Sequence, residues 1–410
     1  MKILIITPFY APDLGPSAPL FTLLCSGLAR RGHQVTVIAA VPHYPSGRVA
    51  PAFQGKLIHK SMENDVTVVR VAVPSVNRDN LKKRMLQLAC FQMGATWASF
   101  FQNYDAALIT NPALETLVPF ACQVIFRHKP VVLSVFDVYP DVGIKLGIFR
   151  RKSVLTVVTK LERFCLNQSA FVQIISDSFR PSLRALGVPD TKMKLVKLWV
   201  DTELIKPLPH INTFSQEHDL INKFVVLYAG NIGLSQGLEH VLDTAELLAG
   251  EDDLRFVFVG NGTGREPLKV QSEHRHLTNV QFIPFQPRER LPDVLASAHV
   301  SLVILRRTIG ADSLPSKTYS ILASGRPIIA SVDEDSETWK LVKQAEAGLC
   351  IPPEDPQKIA EAILTLKQNR ELCDQFGSSG RRWAEQHHSP QHAAEQLEKL
   401  LLKTITTQKE

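Results

Sequence analysis

The sequence predicts an α/β protein built from two Rossmann-like domains that face each other across a cleft. In both halves, short apolar runs alternate with helical patterns, which is typical of a doubly wound parallel sheet. A polar segment with two prolines, ELIKPLPHINTFSQEHDLIN at residues 203–222, interrupts this alternation and is typical of an interdomain connection. The chain has 410 residues, which is long enough for two such domains.

The first domain is expected over residues 1–205. It opens with a strand at Lys2–Thr7, a helix over 17–31 and a second strand over 34–39. The two strands must be parallel, because a helix forms the connection between them. Further strands are predicted at Val66–Val71, Ala106–Ile109, Val131–Val135 and Val172–Ile175.

The second domain is expected over residues 206–385, with helices near 237–249 and 289–297 and a third after Pro315. Its strands are predicted at Phe224–Tyr228, Arg255–Val259, Val280–Ile283, Val300–Ile304 and Ile328–Ser331. A last helix is predicted over 391–404, where three leucines recur at helical spacing on one face. These are Leu397, Leu400 and Leu401.

The most informative stretch is DSLPSKTYSILASGRPIIA at residues 312–330. Pro315 lies near the start of the predicted helix and Gly325 just past its end, which is the expected asymmetry. The start of this helix carries Ser313, Ser316 and Lys317. Free backbone N–H groups, two hydroxyls and an ammonium favour an anion, most naturally a phosphate. The alternative is an ordinary capped helix with a surface lysine.

Glycine-rich turns follow two strands of the second domain. YAGNIGLSQGLEH places glycines at 230, 233 and 237, and FVFVGNGTGRE places them at 260, 262 and 264. Such turns let the backbone approach a phosphate, although each one alone is weak evidence. Together with the helix start at Lys317 they predict a phosphate site at the carboxyl ends of the strands.

Loops of the first domain carry the candidate acceptor contacts. PFYAPDLGPSAP follows the first strand and VPHYPSGR follows the second. We expect acceptor contacts from Gly15, Ser17, His43 and Tyr44, and packed turns are the alternative. FDVYPDVG after the strand at 131–135 contains Asp137 and Asp141, where a carboxylate can accept a proton. Aspartate is also common in turns.

Charge differs between the two halves of the chain. Residues 1–200 hold 24 Lys and Arg against 11 Asp and Glu, a net charge of +13, and residues 201–410 hold 22 against 29, a net charge of −7. A basic half indicates an anionic membrane or a polyanion as its partner, with simple solvation as the alternative. No RNA- or DNA-binding motif accompanies the charge, so we expect no nucleic acid.

Cysteine and histidine patterns indicate a cytoplasmic protein without a metal. The six cysteines show no CxxC spacing and are expected as reduced core thiols, and the 13 histidines form no ligand pattern such as HExxH. The starting run MKILIIT is too short for a secretory signal. The apolar segment over 85–101 is too short and too polar for a transmembrane helix.

The chain resembles the family 4 retaining glycosyltransferases of GT-B fold, in particular the branch of the colanic acid biosynthesis glycosyltransferases. The resemblance rests on YAPDLGPSAP, the HYPSGR loop, FDVYPD, LWVDTELIKP, YAGNIGLSQGLEHVL, FVFVGNGTGRE and ADSLPSKTYSILASGRPIIA. It implies that the second domain binds a nucleotide sugar, of UDP or GDP type, and that the first binds the acceptor. It also implies that a helix within 386–410 packs back on the first domain.

From the turns and this resemblance we expect a set of donor contacts in the second domain. They are Gly230, Asn231, Gln236, Gly260, Gly262, Ser313, Pro315, Ser316, Lys317, Tyr319 and Ser320. Asp312 and Ser320 occupy the positions of two family glutamates, so the second carboxylate is missing. Asn231 and Gln236 stand where the family has an arginine and a lysine that clamp the diphosphate, and we expect Lys317 to supply the charge, with Arg306 or Arg307 as helpers.

The expected catalytic residues are Asp137, Asp312 and Lys317, and Phe136 stands where many relatives have a histidine. We expect transfer of a hexose-type sugar with retention, without a metal or a cofactor other than the nucleotide-sugar substrate. The acceptor is expected to be a saccharide or a polyprenyl-diphosphate-linked lipid. A nucleotide-sugar epimerase of the same fold and a non-catalytic binding or scaffold protein are the alternatives.

Two segments predict contact with the inner face of the cell membrane. LKKRMLQLACFQMGATWASFFQ from Leu81 and FRRKSVLTVVTKLERF from Phe149 interleave basic and apolar residues, as interfacial helices do. Peripheral membrane association is therefore expected, with two buried core helices as the alternative.

Overall fold

The structure is a computed structural model of the chain, and it describes residues 1–15, 17–44, 46–76, 81–111, 113–138, 152–233, 236–307 and 315–407. The chain divides into two compact units, Met1–Leu198 with Pro390–Glu410, and Trp199–Ser389. The first boundary falls somewhat before the expected residue 205, and the second somewhat after the expected residue 385.

The first unit contains a sheet of eight strands in the order β3-β4-β2-β1-β5-β6-β7-β8. Its strands are β1 Lys2–Ile6, β2 Gln34–Ala40, β3 Ile58–Glu63, β4 Val66–Val71, β5 Ala106–Thr110, β6 Val131–Val135, β7 Phe171–Ile174 and β8 Met193–Leu195. All neighbouring strands pair in parallel except β3, which runs antiparallel to β4. The central strands are buried on both faces, which explains why they appear as continuous apolar runs.

Helices cover this sheet. They are α1 Ala18–Arg30, α2 Leu81–Phe100, α3 Ala113–Ala121, a π-helix Cys122–Phe126, α4 Lys152–Gln168 and α5 Arg180–Ala185, with short 3₁₀ turns at Pro51–Phe53 and Asp177–Phe179. Strand β3 was not predicted, because it is an edge strand with the partly exposed sequence IHKSME rather than an apolar run. Strand β8 was missed because it has three residues.

The second unit contains a six-stranded parallel sheet in the order β11-β10-β9-β12-β13-β14. Its strands are β9 Phe224–Ala229, β10 Leu254–Val259, β11 Val280–Ile283, β12 Val300–Ile304, β13 Ile328–Ser331 and β14 Gly348–Ile351. Counted within this unit, the order is 3-2-1-4-5-6, which is that of a dinucleotide-binding Rossmann sheet. The order reverses between β9 and β12, and ligands of such sheets bind beyond the carboxyl ends of the strands at that point.

The helices of the second unit follow its strands. They are α6 Thr213–Glu217, α7 Glu239–Leu247, α8 Arg265–His274, α9 Leu291–Ala296, α10 Lys317–Ser324, α11 Glu337–Gln344, α12 Pro356–Gln368 and α13 Arg370–His387, with a 3₁₀ turn at Arg288–Arg290. The segment 203–222, expected as an interdomain connection, falls inside the second unit and contains a helix. Asn212 caps α6 within that range and Phe214 is fully buried, so the segment packs as part of the second unit.

The last helix, α14 Pro390–Thr407, belongs to the first unit and packs against α1. A Cβ added at Gly27 would lie 3.0 Å from the Cβ of Ala394, so the two helices approach closely at this glycine. Glu398 accepts hydrogen bonds from Arg31 at 2.6 Å and pairs with His33 at 2.8 Å. The leucines predicted to share one face, Leu397, Leu400 and Leu401, are all buried.

Within the described ranges, no helix combines the length and the apolar character that crossing a bilayer requires.

The packing of α14 can be tested with two adjacent leucines. Leu401 is 0% exposed and Leu402 is 48% exposed. Leu401→Ala is expected to lower the free energy of unfolding by about 2–5 kcal/mol, because it leaves a cavity between α14 and the rest of the first unit. Leu402→Ala, the matched control, should change it by about 0.5 kcal/mol or less. Urea denaturation followed by circular dichroism measures both, and equal effects would show that α14 is not anchored by its buried face.

Candidate functional site

A pocket of about 230 Å³ opens in the second unit where β9, β10 and α10 meet. It lies beyond the carboxyl ends of β9 and β10, beside the point at which the strand order reverses. Its lining residues are Ala229, Gly230, Val259, Phe285, Gln286, Leu291, Val294, Leu295, Ser301, Ser316, Lys317, Ser320 and Ile321. The lining includes four expected donor contacts, Gly230, Ser316, Lys317 and Ser320.

Helix α10 positions the polar side of this pocket. Ser316 is its N-cap residue, and the helix ends at Gly325 with φ 67°, a left-handed conformation that favours glycine. The predictions that the helix starts just after Pro315 and stops at Gly325 are therefore confirmed. Ser316 does not cap the helix through its side chain. The hydroxyl-bearing residues Ser316 and Ser320 line the pocket, at the positive end of the helix dipole. In the first turn the Thr318 amide donates to the Pro315 carbonyl at 3.0 Å and the Tyr319 amide to the Ser316 carbonyl at 3.2 Å.

Lys317 is the charged group of the pocket. Its Nζ is shielded from solvent and has no hydrogen-bond partner among the described residues. It lies 3.6 Å from the centroid of the Tyr228 ring, in cation–π geometry. Burial lowers the pKa of Lys317 to about 7, because removal from water disfavours the ammonium form. An anion bound in the pocket would act as the counter-ion of the Lys317 ammonium.

Gly230 allows Lys317 to occupy this position. Its φ of 140° is one that residues with a side chain rarely adopt. A Cβ at this position would also lie 3.2 Å from both Cε and Nζ of Lys317. The glycine is therefore required both by the backbone turn after β9 and by the lysine that lies against it.

Gly260 and Gly262 lie where two loops of the second unit pack closely together. A Cβ at Gly260 would lie 1.9 Å from the carbonyl oxygen of Gly230, and one at Gly262 would lie 2.2 Å from that of Ile232. The amide of Ile232 donates to the Asn261 carbonyl at 2.9 Å. These glycines therefore let two loops pack backbone against backbone, and neither lines the pocket. Direct donor contact by Gly260 and Gly262 stays a prediction.

The positions that lack the family's clamp residues are used for local structure. The side chain of Gln236 accepts a hydrogen bond from the Gly233 amide at 2.9 Å and so closes the turn. The carbonyl of Asn231 accepts one from the Tyr228 hydroxyl at 2.6 Å. Neither residue lines the pocket.

The two arginines expected as helpers already have carboxylate partners. Arg306 pairs with Glu239, and Arg307 lies 3.8 Å from Glu354. Lys317 is thus the cation that lines the pocket among the described residues.

The structure locates only one of three further residues that were expected at the donor site. Tyr319, expected as a donor contact, is buried with its ring 4.5 Å from that of His388, and it does not line the pocket. Consecutive residues of a helix project about 100° apart, so Tyr319 turns into the interior while Ser320 lines the pocket. Asp312 and Ser313 lie outside the described residues.

The apolar wall of the pocket was not predicted. It is formed by Phe285, which follows β11, and by Leu291, Val294 and Leu295 of α9, with the polar Gln286 next to Phe285. Phe285 is 68% exposed, which is unusual for so large an apolar side chain. A phenylalanine between two prolines just after a strand, in IPFQP, was the signal that could have indicated it.

In the first unit, Asp13 organises the carboxyl edge of the sheet. Its side chain is buried, and Oδ1 accepts a hydrogen bond from the Gly15 amide at 2.8 Å. Oδ2 accepts from the amides of His43 at 2.8 Å and Tyr44 at 3.3 Å. One carboxylate thus joins the loop after β1 to the loop after β2. Sequence reasoning passed over Asp13, although it lies inside the motif YAPDLG.

Aromatic packing completes this edge. The Phe9 ring stacks on His43 at 5.5 Å and meets the Tyr44 ring edge-on at 5.8 Å. Gly15 lies directly against Phe9, since an added Cβ would come within 2.3 Å of its ring. Ser17 is the N-cap residue of α1. The structure therefore brings the four expected acceptor contacts to one edge of the first unit.

Asp137 follows β6 at the same edge. Its side chain reaches solvent, while the surrounding protein raises the pKa of its carboxyl above the usual range by partial desolvation. A carboxylate with a raised pKa is a better proton acceptor. The neighbouring Phe136 packs its ring 5.5 Å from Phe21. Asp141 lies outside the described residues.

Family comparisons identify the class of protein that carries these two units. The chain matches the family model "Glycosyl transferase 4-like domain" over residues 18–199 and "Glycosyl transferases group 1" over residues 211–383. The two matches together span most of the chain, and each falls on one of the two units. The chain therefore belongs to the glycosyltransferases that combine a glycosyl transferase 4-like domain with a group 1 domain.

Particular relatives agree with the motifs. The protein assigned as colanic acid biosynthesis glycosyl transferase WcaI of Escherichia coli K12 is 28% identical over 383 residues, covering 90% of this chain and 94% of its own. Sucrose-phosphate synthase of Thermosynechococcus elongatus has a TM-score of 0.73 at 15% identity, covering 99% of this chain and 100% of its own. HepE of Anabaena, in complex with UDP, has a TM-score of 0.72 at 17% identity, covering 98% and 100%. The expected GT-B fold and the likeness to the colanic acid branch are confirmed.

The role of Asp13 can be tested by removing its carboxylate. Asp13→Ala leaves three backbone amides without their acceptor in a buried site, so the free energy of unfolding should fall by roughly 2 kcal/mol. Differential scanning fluorimetry and urea denaturation measure this, with Asp252→Ala at an exposed turn as the control. Unchanged stability of the Asp13 variant would show that the two loops hold their positions without it.

Proposed function

We propose that this protein transfers a hexose-type sugar, with retention of anomeric configuration, from a UDP- or GDP-sugar to a lipid-linked or saccharide acceptor. The observation that carries the proposal is the buried ammonium of Lys317 in a pocket at the reversal point of a Rossmann sheet. Rossmann sheets bind nucleotides at this point, and a buried cation with no partner among the described residues favours a diphosphate there.

The pocket accommodates the two ends of a nucleoside diphosphate differently. The diphosphate lies at the start of α10, with Lys317 and the Ser316 hydroxyl as donors and the positive end of the helix dipole beside it. The base lies along the apolar wall beside Phe285, since an exposed aromatic ring offers a surface for stacking. HepE, which shares the fold, binds UDP, and this supports a nucleotide donor of that type.

Charge on the leaving group drives the chemistry we propose. As the bond between the sugar carbon and the diphosphate breaks, the sugar becomes oxocarbenium-like and negative charge grows on the departing oxygen. Protonated Lys317 and the amides of α10 stabilise that charge, and in many enzymes such electrostatic stabilisation contributes most of the rate enhancement. This makes a metal unnecessary. Asp137, with its raised pKa, and Asp312 are proposed as proton acceptor and sugar contact.

Two observations support the proposed acceptor, namely the basic charge of the first unit and the process to which a relative is assigned. WcaI is assigned to colanic acid biosynthesis, which supports a role in the assembly of a polysaccharide. A growing polysaccharide is commonly carried on a polyprenyl diphosphate, and the basic first unit suits such an anionic lipid. We propose a cytoplasmic protein that associates peripherally with the inner face of the membrane.

Donor binding and transfer can be tested in two steps. A ligand that binds the native state raises the melting temperature, so screening UDP-, GDP- and ADP-sugars identifies the donor. Release of nucleoside diphosphate is then measured with and without a lipid-linked saccharide. A transferase needs the acceptor for rapid release, whereas an epimerase converts the sugar without it. Failure to bind any nucleotide sugar would favour a scaffold protein and overturn the proposal.

Lys317→Ala tests the phosphate site directly. Loss of a contact made most strongly to the fully charged leaving group should cost about 2–4 kcal/mol, or roughly 30- to 1000-fold in turnover. Lys340→Ala, an exposed lysine on α11, is the control and should turn over normally. Circular dichroism checks that both variants are folded. If the Lys317 variant turns over at nearly the wild-type rate, the residue has only a structural role and does not stabilise the leaving group.

The lowered pKa of Lys317 predicts a pH dependence of donor binding. In the free protein the lysine is protonated below about pH 7 and neutral above it. A bound diphosphate favours the ammonium form, so affinity should be constant below about pH 7 and fall by up to about tenfold per unit above it. Calorimetry with a nucleotide sugar between about pH 6 and pH 9 measures this. Lys317→Arg stays charged throughout and should remove the pH dependence; an equal slope in both proteins would contradict the assignment.

A further inference from the structure

Helix α2 exposes a continuous apolar stripe. Met85, Ala89, Met93, Trp97 and Phe101 recur every four residues along α2 and the residue that follows it, and all five are exposed. Met93, Trp97 and Phe101 are 66%, 62% and 71% exposed. Residues four apart share one face of a helix, so these side chains form one stripe on the solvent side.

The opposite face of α2 already fixes the helix in the core. Phe91, Ala95 and Ala98 are buried and pack in the main cluster of the first unit. A helix on the surface of a soluble domain normally carries polar residues on its outer face. The outer stripe of α2 is apolar although folding does not require it to be so, which points to a use for the stripe outside the unit itself.

The elements beside α2 extend the apolar surface. Helix α3 packs against both α2 and α4, and the π-helix continues α3. These elements expose five further large apolar side chains, Val118, Ile125, Phe126, Val154 and Val157. Helix α4 also exposes the basic side chains of Lys160 and Arg163. Of the twenty large apolar side chains exposed among the described residues, eleven lie between residues 85 and 157. We call the outer side of α2, α3, the π-helix and α4 the apolar face.

Basic residues border the apolar face at both ends of α2. Lys82, Lys83 and Arg84 are exposed in its first turn, and the helix has no acidic residue. Beyond its other end, the Arg127 guanidinium lies 5.9 Å from the centroid of the Phe100 ring. An apolar surface rimmed by cations and rich in Trp and Phe matches the interface of an anionic bilayer, where rings lie at headgroup level and cations meet phosphates.

We propose that the apolar face is the membrane-docking surface of the protein, with Met93, Trp97 and Phe101 inserted among the lipids of an anionic bilayer. The basic residues at the start of α2 contact the headgroups. This inference rests on the proposed function, because a lipid-linked acceptor lies in such a bilayer. Docking is peripheral, as α2 lies along the surface with its inner face held in the core.

Vesicle flotation of the full-length protein tests the surface. The protein should float with vesicles of phosphatidylcholine and phosphatidylglycerol, bind less to phosphatidylcholine alone, and bind less as salt rises. The triple variant Met93→Gln, Trp97→Gln, Phe101→Gln should bind about tenfold less or worse. The matched control, Ile211→Gln, Leu247→Gln, Val270→Gln, changes three exposed apolar residues of the second unit and should bind normally. Equal binding by the two triple variants would overturn the proposal.

Fluorescence of Trp97 distinguishes insertion from attraction at a distance. Its emission should shift to shorter wavelength on vesicles and be quenched by lipids brominated in the acyl chain, and Trp97→Phe should lose this signal while still floating. Sedimentation velocity without lipid tests whether the apolar face instead binds a second copy of the chain. A dimer that the first triple variant abolishes, without vesicle binding by the wild type, would overturn the proposal.

Donor binding separates this inference from the proposed function. Both triple variants should keep the wild-type shift in melting temperature with the nucleotide sugar, because none of the substituted residues lines the pocket at α10. Loss of vesicle binding with retained donor binding supports the docking surface. Vesicle binding by a protein that binds no nucleotide sugar would leave the apolar face supported and the transferase proposal refuted.

Discussion

A buried amine, Lys317 Nζ, that has no hydrogen-bond partner among the described residues is the constraint around which the second unit is arranged. Lys317 takes this position because Gly230 leaves space for it and the Tyr228 ring lies beneath it. Gly230 can turn as it does because the loop after β10 packs its own glycines against the same backbone. Each of these residues is positioned by the next, and together they keep the ammonium at the start of α10, facing the pocket.

In the proposed function, Lys317 takes the place of the two cations that the family resemblance leads one to expect at Asn231 and Gln236. Two fixed charges at the positions of Asn231 and Gln236 would bind phosphate at any ordinary pH. A single buried amine with a pKa near 7 gains its charge as the anion arrives, and in a low-dielectric site that charge interacts strongly. The positions freed by this change now stabilise the turn after β9, through Gln236 and the Tyr228 hydroxyl.

The first unit carries two distinct surfaces, which are the polar loops at one edge of its sheet and the apolar face on its helices. Asp13 holds the loops after β1 and β2 together with a single carboxylate. The apolar face of α2, α3, the π-helix and α4 is not needed for the core. Together with the basic excess of residues 1–200, it gives this unit the surface expected of a protein that works on a lipid-linked acceptor.

The sequence by itself determined the two Rossmann-like units, most of their central strands and the start and end of α10. Periodicity reveals these features because central parallel strands are buried on both faces, and because proline and glycine restrict the backbone locally. The edge strand β3, the short strands and the folding of the segment at 203–222 were not predicted. Their stability comes from contacts with neighbours that are distant in sequence.

The tertiary structure decided the roles of individual residues in the site. It showed that Gly260 and Gly262 serve loop packing and that Tyr319 faces the interior. Asp13 proved to hold two loops together and Phe285 to line the pocket, although neither residue was predicted. The lowered pKa of Lys317 likewise depends on burial by residues from several parts of the second unit. Such properties arise from contacts between distant segments, and a linear pattern carries no record of those contacts.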